Sequence, residues 1–411
     1  MKKPVQIAVI GGGAAGMMAA ITAARQGSRV TLLERQDRMG RKLLATGNGR
    51  CNLTNIGSTA EHYHGADPGF SRPALRRFPA SKTMEFFQSL GICTTVEEAG
   101  RVFPLTGQAS AVLDVLRYEI TRLGVAVRLL APVKHISRRG GAFVLRWPEG
   151  EEQADRVILA AGSKAAPQLG GNGSGIDLLK QLGHAEVPVF PALVPLKTGA
   201  RFNRQLKGTK VMAQACLEVD GHPEADEGGE ILFTDYGLSG PPIIQLSQAA
   251  NRARQQNKSV TVTLDQFPSW SAEQLLIQLE ERCSLRPEAP LDFVLVGLVH
   301  KRFIPVLLQE ARLTQPHKPA GQVSPEEARR MVRVLKQWVF EITGSLSWND
   351  SQVMAGGIRT ADFSAETMES RIVKGVFAAG EVLDITGDCG GFNLQWAWSS
   401  GQAAGWEAAT A

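Results

Sequence analysis

The chain has 411 residues, 43% of them hydrophobic and 21% charged, with a formal net charge of +5. This is the balance of an ordinary globular protein, and the length predicts two or three domains. No apolar run reaches the roughly 18 uncharged residues of a membrane span. The five cysteines (Cys51, Cys93, Cys216, Cys283, Cys389) show no paired spacing, which argues against a disulfide framework or a metal site.

The start, MKKPVQIAVIGGGAAGMMAAITAA, has the basic end and small residues of a signal peptide. Its glycine turn cuts the apolar run short, so a mature N-terminus and a cytoplasmic protein are expected. Residues 5–35 read as strand, glycine loop, helix, strand and acid, the pattern of a dinucleotide-binding βαβ unit. Gly11 suits the tight turn, Gly13 close approach of a pyrophosphate, and Gly16 close packing of helix and strand. Ala14 and Ala15 open the helix whose N–H groups face the phosphates. Glu34, with Arg35 beside it, lies 18 residues after Gly16, where a carboxylate accepts from a ribose 2′-hydroxyl and repels a 2′-phosphate. The unit is therefore expected to hold FAD or NAD rather than NADP.

A loop rich in glycine and cations follows at residues 39–55, and residues 71–130 read as helices with a strand-like break near 93–96. Short strands are predicted in VKHIS, AFVLRW and RVILAAG. Pro188, Pro191 and Pro195 mark a boundary near residue 190. Residues 191–268 form an expected β-rich domain and 269–344 a helical subdomain, in which Arg329, Arg330, Arg333 and Lys336 read as a solvated helix face. Residues 345–411 return to nucleotide-binding character and complete the domain begun at 1–190. The last helix carries Ala397, Gly401 and Gly405 at four-residue spacing. Its flat face is expected to lie on the sheet or to approach a cofactor directly. The fold class predicted is α/β: a Rossmann FAD-binding domain of glutathione-reductase type, interrupted by an inserted β-domain and a helical subdomain.

The segments GGGAAG, GRKLLATGNGRCNLTN, FTDYGLSGPPIIQLS, AGGI and GEVLDITGDCGGFNLQWAWSSG together resemble the BaiN-type (YhiN-like) NAD(P)/FAD-dependent oxidoreductases. These are three-domain bacterial flavoproteins that include a bile-acid-inducible enzyme and an aminoacetone oxidase. The resemblance covers nearly the whole chain. Asn48, Phe392 and the AAGS of residues 160–163 depart from the usual family pattern. FAD is implied as cofactor. Arg41 and Lys42 are expected to reach phosphate or ribose. The loop of Thr46, Gly47, Asn48, Gly49, Arg50, Cys51 and Asn52 is implied to contact the flavin side. Val133 is implied to present backbone groups to adenine, and Ala161 and Gly162 end the strand beside it. Gly380, Glu381 and Asp384 are implied at the ribitol and pyrophosphate. Phe392, Asn393, Leu394 and Gln395 open a helix whose dipole could face the flavin.

No catalytic side chain is assigned; Cys51, Cys389 and Tyr236 are the candidates. No second GxGxxG unit is found in mid-chain, and GGNGSG at 170–175 reads as a loop near the flavin or a helix entry. NAD(P)H would therefore dock transiently at the flavin face. The function expected is oxidation or reduction of a small organic molecule at flavin N5. An O₂-using amine oxidase of the aminoacetone type is the alternative. A reading of another class is an FAD-containing RNA-binding, RNA-modifying or regulatory protein, although the lack of interleaved aromatic and basic residues argues against nucleic acid. The oligomeric state is left open.

Overall fold

The computed structural model describes residues 3–411; the start of the expected first domain, Met1 and Lys2, lies outside them. The chain forms two bodies, Met1–Phe190 with Ser351–Ala411, and Pro191–Asp350.

The first body is built on a five-stranded parallel sheet. Its order is Val376–Ala378, Arg156–Leu159, Gln6–Ile10, Arg29–Leu33 and Ala126–Arg128. Ile7, Ala8, Val9, Ile10, Leu32 and Leu33 are all buried. These continuous apolar runs are what a parallel sheet covered on both faces requires. The helix Ala14–Arg25 links the first two strands. A C-terminal helix, Phe392–Thr410, packs along it. The small-residue stripe meets that first helix rather than the sheet. A Cβ on Gly401 would come within 2.5 Å of the Ala15 carbonyl, and one on Gly405 within 2.4 Å of that of Ala19.

Beyond the sheet lies an antiparallel meander, His135–Arg139, Ala142–Trp147 and Gly150–Ala154. The third strand was not expected, because GEEQA is mostly polar and keeps alternate residues half-exposed. The region 71–130 holds the helices Arg72–Arg77, Ala80–Ser89 and Ala109–Arg122. Strands Thr94–Val96 and Arg101–Pro104 interrupt them.

The second body is a closed six-stranded barrel, in the order Leu196–Thr198, Gly237–Ser239, His222–Phe233, Lys210–Val219, Val260–Asp265 and Trp338–Ser345. The last strand arrives only after the helices Ala272–Leu285, Phe303–Glu310 and Pro325–Lys336. Phe202, Phe233, Phe303, Trp338 and Phe340 cluster in one core shared by barrel and helices. Not all of the basic helix face is solvated. Lys336 is largely covered, pairs with Asp265 at 2.7 Å and donates to the carbonyls of Phe267 and Trp270. Arg330 donates to the Ala311 carbonyl at 2.8 Å. No helix of the described residues is long and apolar enough to cross a membrane.

Candidate functional site

The carboxyl ends of the parallel strands open into a cleft, the usual ligand position in such sheets. Gly11 has φ +107°, and a Cβ there would strike the Ala160 carbonyl at 2.4 Å. A Cβ on Gly16 would lie 1.8 Å from the Gly11 carbonyl, so both positions demand glycine for packing alone. Gly13 differs: a Cβ there meets nothing within 4 Å. No side chain caps the helix that follows, and its N-cap, Gly13, lines the cleft, so the helix start is left for a ligand to satisfy.

Gly11, Gly13, Glu34, Arg35, Arg41, Lys42, Val133, Ala161, Gly162 and Glu381 all line this one cleft, which holds about 910 Å³ of empty, open-sided space. Glu34 is 9% exposed. Its carboxylate accepts from the backbone N–H of Gly12 at 2.7 Å and of Gln36 at 2.8 Å. Each oxygen keeps a second lone pair. Lys42 and Glu381, drawn from opposite ends of the chain, pair at 2.7 Å, while the other Glu381 oxygen accepts from the Met354 N–H. Arg41 donates to Gln36 at 2.9 Å.

Sequence reasoning missed several wall residues, including Arg38, Gly40, Lys134 and Ser163. The GGNGSG segment both lines the cleft through Gly170, Gly171, Asn172 and Ser174 and opens the helix Ser174–Gln181. Its glycine density next to the Leu159 strand was the available signal.

Ala14, Ala15 and Gly16 lie in the first helix and are not part of the cleft wall, while Asn52 and Phe392–Gln395 come together at the N-terminus of the C-terminal helix. Gly391 caps that helix at φ +106°, and a Cβ there would meet the Thr54 carbonyl at 2.5 Å and Asn52 Oδ1 at 2.9 Å. The Thr46–Gly49 turn holds Gly47 and Asn48 in the left-handed region. Asn52 Oδ1 is buried without a hydrogen-bond partner. Gln395 is fully buried, accepting from the hydroxyls of Thr54 and Thr83 and donating to the Phe78 carbonyl and Ser399. Its amide is spent on the interior, so the side chain has nothing left for a ligand. Asp384 is buried and accepts from the Ala66 N–H at 2.8 Å. Gly380 packs against Ala15, and its N–H donates to Ser400. Trp396 and Trp398, not anticipated from sequence, donate to the carbonyls of Gly380 and Leu53 and so fasten both motifs to the helix.

The cysteine candidates separate. Cys51 is completely buried, and burial pushes its thiol up to about 12, opposed by a hydrogen bond to Thr46. It is a neutral packing residue at neutral pH, without access to a ligand. Cys389 is exposed, next to Asp388. Tyr236 sits half-buried in a turn of the barrel body, where its carbonyl accepts from Thr198.

Glycine loop, uncapped helix and strand-end carboxylate define the class, a dinucleotide-binding oxidoreductase of Rossmann type. Residues 5–407 match the HI0933-like protein Rossmann domain, and the chain belongs to that family, the BaiN/YhiN type anticipated above. It is 38% identical over 406 residues, 98% of this chain and 99% of the relative, to the 3-dehydro-bile acid delta(4,6)-reductase of Clostridium scindens. It is 29% identical over 401 residues, 96% of each chain, to the ribosomal RNA dihydrouridine synthase of Haemophilus influenzae. Among solved structures, the 3-ketosteroid delta1-dehydrogenase of Sterolibacterium denitrificans superposes with a TM-score of 0.50 at 11% identity, with 99% of each chain covered. That likeness concerns the fold.

The protein is an FAD-dependent oxidoreductase, and the residues present fit the cofactor. Open space at Gly13, the uncapped helix, and the spare acceptor sites of Glu34 match a pyrophosphate and a ribose.

Proposed function

We propose that the protein reduces a carbon–carbon double bond conjugated to a carbonyl in a ring compound, on a small organic substrate, with NAD(P)H as a transiently docking electron donor. The observation that carries this reading is the end-to-end 38% identity to a reductase whose name specifies such double bonds in a 3-oxo steroid. Bound FAD would supply hydride transfer at N5. The chain's own contribution is to hold it. Glu34 and Val133 bind the adenosine end, Gly11 to Gly16 admit the pyrophosphate, and Lys42 and Arg41 add positive charge beside it. Phe392, Asn393 and Leu394 present a helix N-terminus, whose positive dipole end favours negative charge on the ring.

A second reading is favoured by the rRNA dihydrouridine synthase relative. The uracil C5–C6 double bond is also conjugated to a carbonyl, so one chemistry serves both substrates. The test is anaerobic. The purified yellow protein is titrated with NADH and with NADPH while absorbance near about 450 nm, the flavin band, is followed. Testosterone or an unmodified ribosomal RNA transcript is then added. The proposal expects bleaching by one nucleotide and return of colour with testosterone. Return with RNA alone supports the second reading. Bleaching only by an amine, with return only in air, would replace both with the oxidase.

A further inference from the structure

A cluster beside the C-terminal helix has no part in binding the cofactor as described above. The short strand Tyr63–His64 pairs antiparallel with Thr386–Gly387. The chain then turns at Asp388, whose N–H donates to the His62 carbonyl at 3.0 Å. This places one carboxylate between two imidazoles. His62 Nδ1 lies 2.9 Å from Asp388 Oδ2, and His64 Nε2 lies 2.6 Å from Asp388 Oδ1. The carboxylate side chain is 17% exposed and the two histidines 40% and 38%.

A carboxylate only accepts, so each imidazole must donate to it. His62 is thereby fixed with a proton on Nδ1, and His64 with a proton on Nε2. Nε2 of His62 and Nδ1 of His64 are left to take up or give a second proton. The cluster is rigidly tied to the helix whose N-terminus is proposed to face the ring. The His62 ring stacks on that of Phe392 at 4.3 Å and 24°. Tyr63 donates to the Phe392 carbonyl at 3.0 Å. The Asn393 amide brackets the loop, accepting from Gly387 at 2.8 Å and donating to the carbonyls of Gly387 and Asp388.

Reduction of a conjugated double bond needs one hydride and one proton. Among the cysteine candidates, Cys51 is enclosed and cannot deliver a proton to a ligand. We infer that His62 and His64, oriented by Asp388, supply the proton for the reduction proposed above, on which this inference rests. As the π bond breaks, one carbon takes the hydride, whose two electrons originate in NAD(P)H. The other carbon takes a proton from Nε2 of His62 or Nδ1 of His64. The donor imidazolium is left neutral and regains its proton from water, to which both rings are open. Asp388 is the positioning residue, acting through the two imidazoles.

The test uses the intact holoprotein, NAD(P)H and testosterone, in the wild type, the double variant H62Q/H64Q, and D388N. In H62Q/H64Q, FAD content and the rate of bleaching by NAD(P)H stay as in the wild type. The kcat for return of colour with testosterone falls by about 10²–10⁴-fold with KM little changed, the usual scale for loss of a general acid. A second readout needs no turnover. Long-range ¹H–¹⁵N spectra of labelled protein, with and without FAD, are expected to show the Nδ1–H form of His62 and the Nε2–H form of His64. D388N returns His62 to the Nε2–H form that free imidazole prefers. A double variant that responds to testosterone like the wild type overturns the inference and leaves the reductase reading standing. So does a wild-type His62 that carries its proton on Nε2 alone. A wild type whose colour never returns with testosterone or RNA removes the reductase reading itself, and this inference with it. If D388N retains FAD while H62Q/H64Q loses it, the histidines are structural, which also counts against the inference.

Discussion

The nucleotide cleft and the region around the C-terminal helix were both expected to bind one cofactor, yet they are built in opposite ways. The cleft takes its phosphate loop and its acid from one local unit, residues 10–42, and completes its wall with segments near 131–134, 160–174 and Glu381. The second region joins segments near residues 50, 63 and 390, held by side-chain bonds such as Tyr63 to Phe392 and Trp398 to Leu53. In the cleft, the uncapped helix start at Gly13 and the spare acceptor sites of Glu34 are open to a ligand. Around the helix, many polar groups are consumed internally, as with Gln395. A binding loop can be written locally, whereas a platform that fixes groups in position needs long-range partners.

Substitutions in the two regions should have different effects. The largest effect is expected from Gly16→Val, whose side chain would be driven into the Gly11 carbonyl. Overpacking of this kind costs about 3 kcal/mol or more, and circular dichroism should find the variant unfolded or poorly soluble. Gly13→Val is the converse case, since its Cβ enters open space. That variant should fold normally and purify colourless; yellow protein from it would refute the phosphate-loop assignment. Gln395→Leu leaves the buried hydroxyls of Thr54 and Thr83 without their acceptor. A loss of about 3 kcal/mol in urea unfolding is expected, from orphaned buried polar groups. Glu34→Ala should weaken FAD by about 1–3 kcal/mol without changing the fold, measurable by fluorescence titration of the apoprotein.

Acid stability sharpens the picture with groups outside both regions. His184 is buried against Phe363, donating and accepting between the Leu179 carbonyl and Ser370. Burial lowers its pKa below the ordinary 6.5, against smaller opposing effects of the Leu179 carbonyl and Asp362. Because the folded state resists protonation, its contribution is complete above about 6.5 and falls as pH drops below it. Glu119 is held down to about 2 from 4.5, chiefly by its hydrogen bond to Arg122 and then by Arg25, against the effect of burial. Its contribution is lost between 4.5 and about 2. Urea midpoints across pH should fall below about 6.5 and again in the acid range, where Glu97, Asp235 and Glu327 are also held low, and Glu119→Gln should lessen that second fall without touching the first.

Much of the first region was legible because its physics is local. Gly11, Gly13 and Gly16 each have a distinct steric reason visible in their spacing, and Glu34 ends the strand beside them. The barrel was less legible, since four α-helices separate its closing strand from the strand before it in the chain. The small-residue stripe announced a close contact without naming its partner, which proved to be the first helix. The pairing of Lys42 with Glu381 and the His62–Asp388–His64 cluster join residues hundreds of positions apart. The family motifs put Lys42 and Glu381 at one site without showing that they pair, and nothing in the sequence pointed to the two histidines.

On the reading proposed above, the two regions serve the two ends of one FAD. A crystal structure of the yellow holoprotein would decide this. The ribose is expected on Glu34, the pyrophosphate over Gly13, and the isoalloxazine ring at the N-terminus of the Phe392–Thr410 helix. A ring lying away from that helix, or a cleft filled by anything other than the adenosine end, would contradict it.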